Sequence, residues 1–326
     1  MHVVGLGNAI VDVITNVDDS FITEHGLEKG AMTLIDAKRA LSLYDLMPAG
    51  TEVGGGSAAN TMVGIASFGT ESSYIGKVSD DVLGQTFRDD LRKAGVAFDM
   101  DLASDGPPTA RCLIQVTPDA QRTLNTFLGV SAELEPADVD LDLIRRGDLL
   151  YCEGYLYDTP PAKAAIELAM TTAAQAGAKV SLTLSDGFCV DRHRQDFLSL
   201  VDNNVDILFG NQDEICSLYE TDDFEQAAAR VGAACELVCL TRGAAGSVII
   251  NQGAQLHIEA AAVETVVDTT GAGDLYSAGF LHGHAMGKDL EACGRLASLA
   301  AAEVISHIGP RPLVSLADLA AQHGLN

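Results

Sequence analysis

From about residue 138 the chain alternates short apolar runs with helical stretches, and this rhythm restricts its fold more than any other feature. DLLYCEGYL, AKVSLTLS, VDILFGN, LVCLTRG and GSVIINQ read as strands, and helices separate the first four. Parallel strands need long crossovers, usually helices, so the alternation predicts an α/β fold: a central, mostly parallel sheet with helices on both faces. A chain of 326 residues suits one such domain, 1–326, with an appendage.

The amino-terminal part adds to this pattern and then breaks it. HVVGLGNAIVDVITNV reads as a buried strand, a tight glycine turn and a second strand. DSFITEHGLEKGAMTLID is polar, turn-rich and weakly helical; DAKRALSLYDLM is a helix capped by Asp36. SSYIGKVSDD reads as strand then turn, and VLGQTFRDDLRKAGV as a helix ending near Gly95. Residues 99–128 contain two β-like runs, TARCLIQVT and RTLNTFL, joined by a turn at Pro118-Asp119. With residues 13–50 they are expected to form a small β lid over the sheet's edge.

DTTGAGD, residues 268–274, is the strongest chemical signal. A glycine turn that opens a helix exposes backbone N–H groups at the positive end of the helix dipole, which makes an anion site without lysine or arginine. Asp274 falls in the first helical turn, where the dipole should keep it ionised and weakly basic. Phosphoryl transfer tolerates a weak base, because its transition state depends chiefly on positioning and charge stabilisation. The glycines would admit a phosphate and Asp274 would accept a proton from an attacking hydroxyl.

GGGSAAN, residues 54–60, is a second glycine turn that opens a helix. Ser57 reads as a plain N-cap. Asn60 has no capping role and is free to hydrogen-bond a polyol. In GLGNAIVD, Ile10 stands where a dinucleotide fingerprint needs its third glycine, which excludes that reading and leaves Asn8 and Asp12 as polar candidates for ligand contact. GKVS, 76–79, lacks the leading glycine and the Ser or Thr of a P-loop. NQDE, 211–214, follows a strand; Asn211 and Glu214 serve either as a capping box or to order water around Mg²⁺. Arg122 is either a solvated hairpin residue or a phosphate clamp. His282 and His284 lack the spacing of a helical metal pair.

The formal charge is −26, from 46 acids and 20 bases, which disfavours nucleic-acid binding. Seven scattered cysteines read as reduced thiols of a cytoplasmic protein. No secretory signal or membrane-length apolar run is apparent.

With these motifs, nearly the whole chain resembles the ribokinase-like, or PfkB, carbohydrate kinases, and most of all their adenosine-kinase branch. DTTGAGD is the most specific signature; GGGSAAN, NQDE and LTRGAAGS resemble the others, and GNAIVDV, QRTLNTFLG and EGYLYD point to the branch. The resemblance implies that Mg-ATP gives its γ-phosphate to a primary hydroxyl, of adenosine or of a sugar such as ribose, fructose or 2-keto-3-deoxygluconate. It implies Asp274 as base and Gly271, Ala272 and Gly273 as anion hole. Asp12, Gly55, Gly56 and Asn60 would hold sugar hydroxyls, and Tyr155 or Tyr157 would line a base pocket. Thr241, Arg242, Gly243 and a helix at 300–307 would lie near ATP, with Asp268 beside it. Asn211 and Glu214 would serve the metal through water. The signature departs from the family's pattern by an extra glycine, Gly54, and by Arg242 in TRG. Monomer and homodimer are both open.

Overall fold

The computed structural model describes residues 1–119 and 121–325. In chain order its strands are β1 (His2–Leu6), β2 (Ile10–Asn16), β3 (Met32–Leu34), β4 (Thr51–Gly55), β5 (Glu71–Ile75), β6 (Ala110–Val116), β7 (Arg122–Phe127), β8 (Leu149–Glu153), β9 (Lys179–Thr183), β10 (Ile207–Asn211), β11 (Leu237–Thr241), β12 (Ser247–Asn251) and β13 (Ala254–Ile258). Eight form a sheet in the order β13-β12-β11-β10-β9-β8-β1-β5. Strands β5 through β11 in that order run parallel, and β12 and β13 are added antiparallel.

Successive side chains on a strand point to opposite faces, so a strand covered on both sides must be apolar throughout. Val3, Leu149 and Tyr151 enter one core, beneath the helices Ser57–Ser67 and Ala272–Ala285. Val4, Leu150 and Cys152 enter the other, beneath Pro160–Ala176 and Gly187–Asn203. Each fully buried large side chain contributes about 1.5–3 kcal/mol. The small residues of LYSAGFLHGHAMG let the 272–285 helix sit close to its neighbours: a Cβ on Gly64 would lie 2.6 Å from the Ala278 Cβ.

A second sheet has five strands in the order β3-β7-β6-β2-β4. Val13 and Leu113 pack on Leu43 of the helix Ala37–Leu46, whose N-cap Asp36 accepts a hydrogen bond from Arg39 N. This sheet reaches beyond the expected insertion, because β2 begins at Ile10 and TEVGG is a strand. Residues 99–109 contribute no strand to it; Ala103 instead bridges to Ser79. In the stretch expected to be turn-rich and weakly helical, Asp19–Glu24 is a short helix, and Met32–Leu34 is an edge strand the pattern does not predict.

Both glycine turns fall where the two sheets meet. Gly7 and Asn8 link β1 to β2, and Gly56 links β4 to the Ser57–Ser67 helix. The larger sheet's strand order reverses direction at β1, between β5 and β8. Clefts of open α/β sheets form at such switch points, beyond the carboxyl ends of the strands.

Candidate active site

Gly271 caps the helix Ala272–Ala285 with φ 80°, a left-handed conformation that favours glycine, and a Cβ there would lie 2.6 Å from the Pro310 carbonyl oxygen. The Ala272 N–H turns back to the Thr269 carbonyl at 3.2 Å. Ala272 is therefore removed from the expected anion hole. The N–H groups of Gly273 and Asp274 have no backbone partner among the described residues, and the space where a Gly273 Cβ would stand is open.

Asp274, one residue on, is held from the other glycine turn. Ser57 Oγ donates to Asp274 Oδ1 at 2.7 Å, and Asn60 Nδ2 donates to Oδ2 at 3.1 Å. Ser57 is thus not a cap; Gly56 takes that position, with φ 93°. Enclosure by the surrounding protein raises the Asp274 pKa above its ordinary value, and the Ser57 and Asn60 hydrogen bonds oppose that rise. The expectation of a weakly basic carboxylate is not met: burial holds this carboxyl above its ordinary value despite the two hydrogen bonds. Such a group accepts a proton more readily than a free aspartate.

Asp12, Asn8, Gly55, Gly56 and Asn60 gather beside it. Asp12 is buried, and burial pushes its carboxyl up to about 7 against the lowering charges of Arg311 and Arg122. Gly55 has to lack a side chain, because a Cβ would lie 2.6 Å from Asp12 Oδ2. Asn8 is committed to the protein: its backbone N and its Nδ2 donate to Glu153 Oε1 at 2.7 and 2.9 Å. Glu153 Oε2 accepts from Ala58 N at 2.9 Å. This wholly buried acid, its pKa raised by burial to about 7, joins β8, the β1–β2 turn and the helix that carries Ser57 and Asn60. Sequence reasoning missed Glu153, although EGYLYD contains it, and missed Arg311, an isolated base between Pro310 and Pro312.

Arg122 leaves β7 to meet the anion loop. Its Nη2 lies 2.7 Å from Asp268 Oδ2, and its Nη1 donates to Thr270 Oγ1 at 2.8 Å. Asp268 also accepts from Thr270 N, Thr270 Oγ1 and Gly309 N. Asp268 therefore braces the loop and does not line the nucleotide side. Arg122 is neither solvated nor free; it ties the smaller sheet to DTTGAGD.

A cleft of about 340 Å³ opens in front of Asp274. Ser57, Thr183, Asn211, Glu214, Thr241 and Gly273 are among the residues that line it. Asn211 and Glu214 form the capping box: Asn211 Oδ1 accepts from Glu214 N at 2.8 Å, and Asn211 N and Nδ2 donate to the Glu214 carboxylate at 3.0 and 2.5 Å. Burial raises Glu214 to about 7. Each carboxylate oxygen keeps a second lone pair, so the box is compatible with accepting from metal-bound water. Among the described residues no cluster of three His, Cys, Asp or Glu could ligate a metal directly. Thr241 lines the cleft, but Arg242 does not: its Nε donates to Gln212 Oε1 at 3.1 Å and its guanidinium stacks on Phe224. Gly243 starts a short turn next to Arg242 and is absent from the lining. The helix expected at 300–307 ends at Val304, and no residue of 300–307 lines the cleft.

The expected aromatic wall is not formed by these tyrosines. Tyr155 OH donates to Asp186 Oδ2 at 2.9 Å, and Tyr157 is buried against Phe197. Tyr157 sits in the core below the opposite face of the sheet, and Tyr155 packs, partly buried, against it. His282 stacks on Phe68 and shares a hydrogen bond with Thr70 Oγ1, away from any metal site.

A carboxylate held at the mouth of an N–H-lined helix start suits transfer of a phosphoryl group to a hydroxyl. Residues 32–315 match the pfkB family carbohydrate kinase pattern, and the chain belongs to that family. Among solved structures, adenosine kinase from Sinorhizobium meliloti is 48% identical over 98% of both chains, with a TM-score of 0.92. A probable sugar kinase from Rhizobium etli is 46% identical, covering 99% of this chain and 98% of its own, with a TM-score of 0.93. An uncharacterized sugar kinase from Archaeoglobus fulgidus is 28% identical over 76% of this chain and 97% of its own length. The protein is a phosphotransferase, a nucleoside or sugar kinase, and kinases of this family use ATP. Among the described residues no helix is long and apolar enough to cross a membrane.

Proposed function

We propose that this enzyme transfers the γ-phosphoryl group of ATP to the primary hydroxyl of adenosine. The observation that carries the chemistry is the Asp274 carboxylate, fixed by Ser57 and Asn60 beside the open N–H groups of the DTTGAGD turn. Asp274 takes the proton of the acceptor hydroxyl as its oxygen bonds to the γ-phosphorus. The bond from that phosphorus to the β–γ bridging oxygen breaks, and ADP leaves. The Gly273 and Asp274 N–H groups offset charge on the transferring group. Asn211 and Glu214 would hold Mg²⁺ through water; when bound, the ion neutralises phosphate charge. Asp12, buried and without a side-chain hydrogen bond among the described residues, suits acceptor hydroxyls.

The five-stranded sheet acts as the lid in this reading, and Arg122 links it to the phosphate loop. A closed lid excludes water, which would otherwise take the phosphoryl group. Adenosine is favoured by the 48% identity to the Sinorhizobium meliloti enzyme. A free sugar is the second reading, favoured because Tyr155 and Tyr157 supply no wall for a base. ADP release with Mg-ATP and adenosine, inosine, guanosine, ribose, fructose or 2-keto-3-deoxygluconate separates them. Turnover with adenosine and little with free sugars is expected; turnover only with a sugar overturns the acceptor assignment and leaves the chemistry standing.

A further inference from the structure

GGGSAAN has one glycine more than its turn requires. Gly56 needs its positive φ and Gly55 makes room for Asp12. Gly54 lies in β4 without a positive φ, yet a Cβ there would fall 2.8 Å from Arg311 Nη2 and 3.2 Å from Arg311 Cζ. The guanidinium lies against the β4 backbone, in a slot that a side chain would fill. From there Arg311 Nε donates to Asn60 Oδ1 at 3.3 Å, which leaves Asn60 Nδ2 to donate to Asp274. Arg311 Nη2 is buried and has no hydrogen-bond partner among the described residues, a state that calls for a compensating role.

Asp90, whose Oδ2 accepts from Gly54 N at 2.8 Å, and Asp12 are the carboxylates this guanidinium faces. Arg122 of β7 also attracts Asp12; Asp274 and Asp268 repel it; Cys112, opposite on β6, is a thiol kept neutral by burial. The Asp12 carboxylate accepts no hydrogen bond among the described residues, so only the two arginine charges oppose the burial that pushes it up. The segment that carries Arg311 also supports the phosphate loop, through Gly309 N to Asp268 and the Pro310 carbonyl against Gly271.

We propose that Arg311 is a positioning residue for the acceptor: seated in the slot left by Gly54, it orients the Asn60 amide and holds Asp12 as a carboxylate able to accept hydrogen bonds from acceptor hydroxyls. The inference rests on the kinase reading. It explains the extra glycine as the counterpart of an arginine about 250 residues away, at a sequence separation of 251 from Asn60.

The test uses Arg311→Gln, Arg311→Lys, Gly54→Ala and the Gly54→Ala/Arg311→Gln double variant, with kcat and acceptor KM measured from about pH 6 to about pH 9 on whichever of adenosine and ribose the wild type phosphorylates. Removing Arg311 lets the Asp12 pKa rise from about 7, so Arg311→Gln should raise acceptor KM about tenfold near neutrality and less as pH rises. Arg311→Lys should recover part of the loss. Gly54→Ala should raise KM alone and add little to Arg311→Gln, because both act through one placement. A KM change equal at every pH, or additive effects of the two substitutions, overturns the proposal. If the wild type phosphorylates neither compound, the acceptor assignment falls while the kinase chemistry stands. The carboxyl-carbon NMR titration of Asp12 in the ligand-free protein then decides: an upward midpoint in Arg311→Gln sustains the placement, and an unchanged midpoint overturns it.

Discussion

Ser57→Ala removes one hydrogen bond from the proposed base and little else. Ser57 Oγ lies 2.7 Å from Asp274 Oδ1, a short contact to a charged acceptor. Hydrogen bonds to charged groups contribute about 1.5–3 kcal/mol. Asp274 stands at the mouth of a cleft, so screening reduces this to roughly 1–1.5 kcal/mol, or about one pKa unit. Ser57 favours the ionised carboxylate, and its loss favours the protonated one. Since turnover needs the ionised form, the acidic limb of the pH profile of kcat should move up by about one unit. Activity near the alkaline plateau should fall much less. The assay is ADP release at saturating acceptor across the pH range, with melting temperature as a control for folding. An acidic limb that stays in place, or a loss equal at every pH, refutes the claim that Ser57 tunes Asp274.

Arg122→Ala breaks a buried pair with Asp268, which keeps three other hydrogen bonds. The cost should fall near or below the lower end of the about 3–5 kcal/mol typical of broken buried pairs, and kcat should drop more than acceptor affinity; equal effects on both would mean simple binding. Glu153→Gln presents an amide where Glu153 accepts three N–H groups, so urea unfolding should show a loss of about 1–3 kcal/mol at about pH 5. Folded Glu153 holds its proton up to about 7, above its ordinary 4.5, so the wild type loses stability through this residue as pH rises between those values. The gap between the two proteins should therefore narrow towards neutrality; a widening gap would contradict the assignment.

The parallel sheet was legible because its strands are short apolar runs separated by helices. DTTGAGD was legible because its turn and helix start are local. Its partners were not: Ser57 and Asn60 stand 217 and 214 residues from Asp274, and only the packing of two helices brings them together. Strand β4 was hidden by its glycines. Strands β3 and β13 were hidden because they are edges whose exposed residues, such as Met32 and Leu34, carry no buried alternation. Tyr155 was misplaced because a strand-like run ends in a turn at Gly154, which sends the ring to Asp186. Asp274's raised pKa was missed because enclosure is a tertiary property, whereas the helix dipole can be read from sequence.

The most direct test of the central claim compares Asp274→Asn with the wild type in two assays on one preparation: calorimetric binding of adenosine, and turnover with Mg-ATP. General-base catalysis contributes about 10²–10⁴-fold, so the variant should lose at least a hundredfold in kcat while its adenosine affinity stays within about threefold. A variant that keeps more than about a tenth of wild-type kcat, a change under roughly 1.4 kcal/mol, would show that Asp274 is not the base.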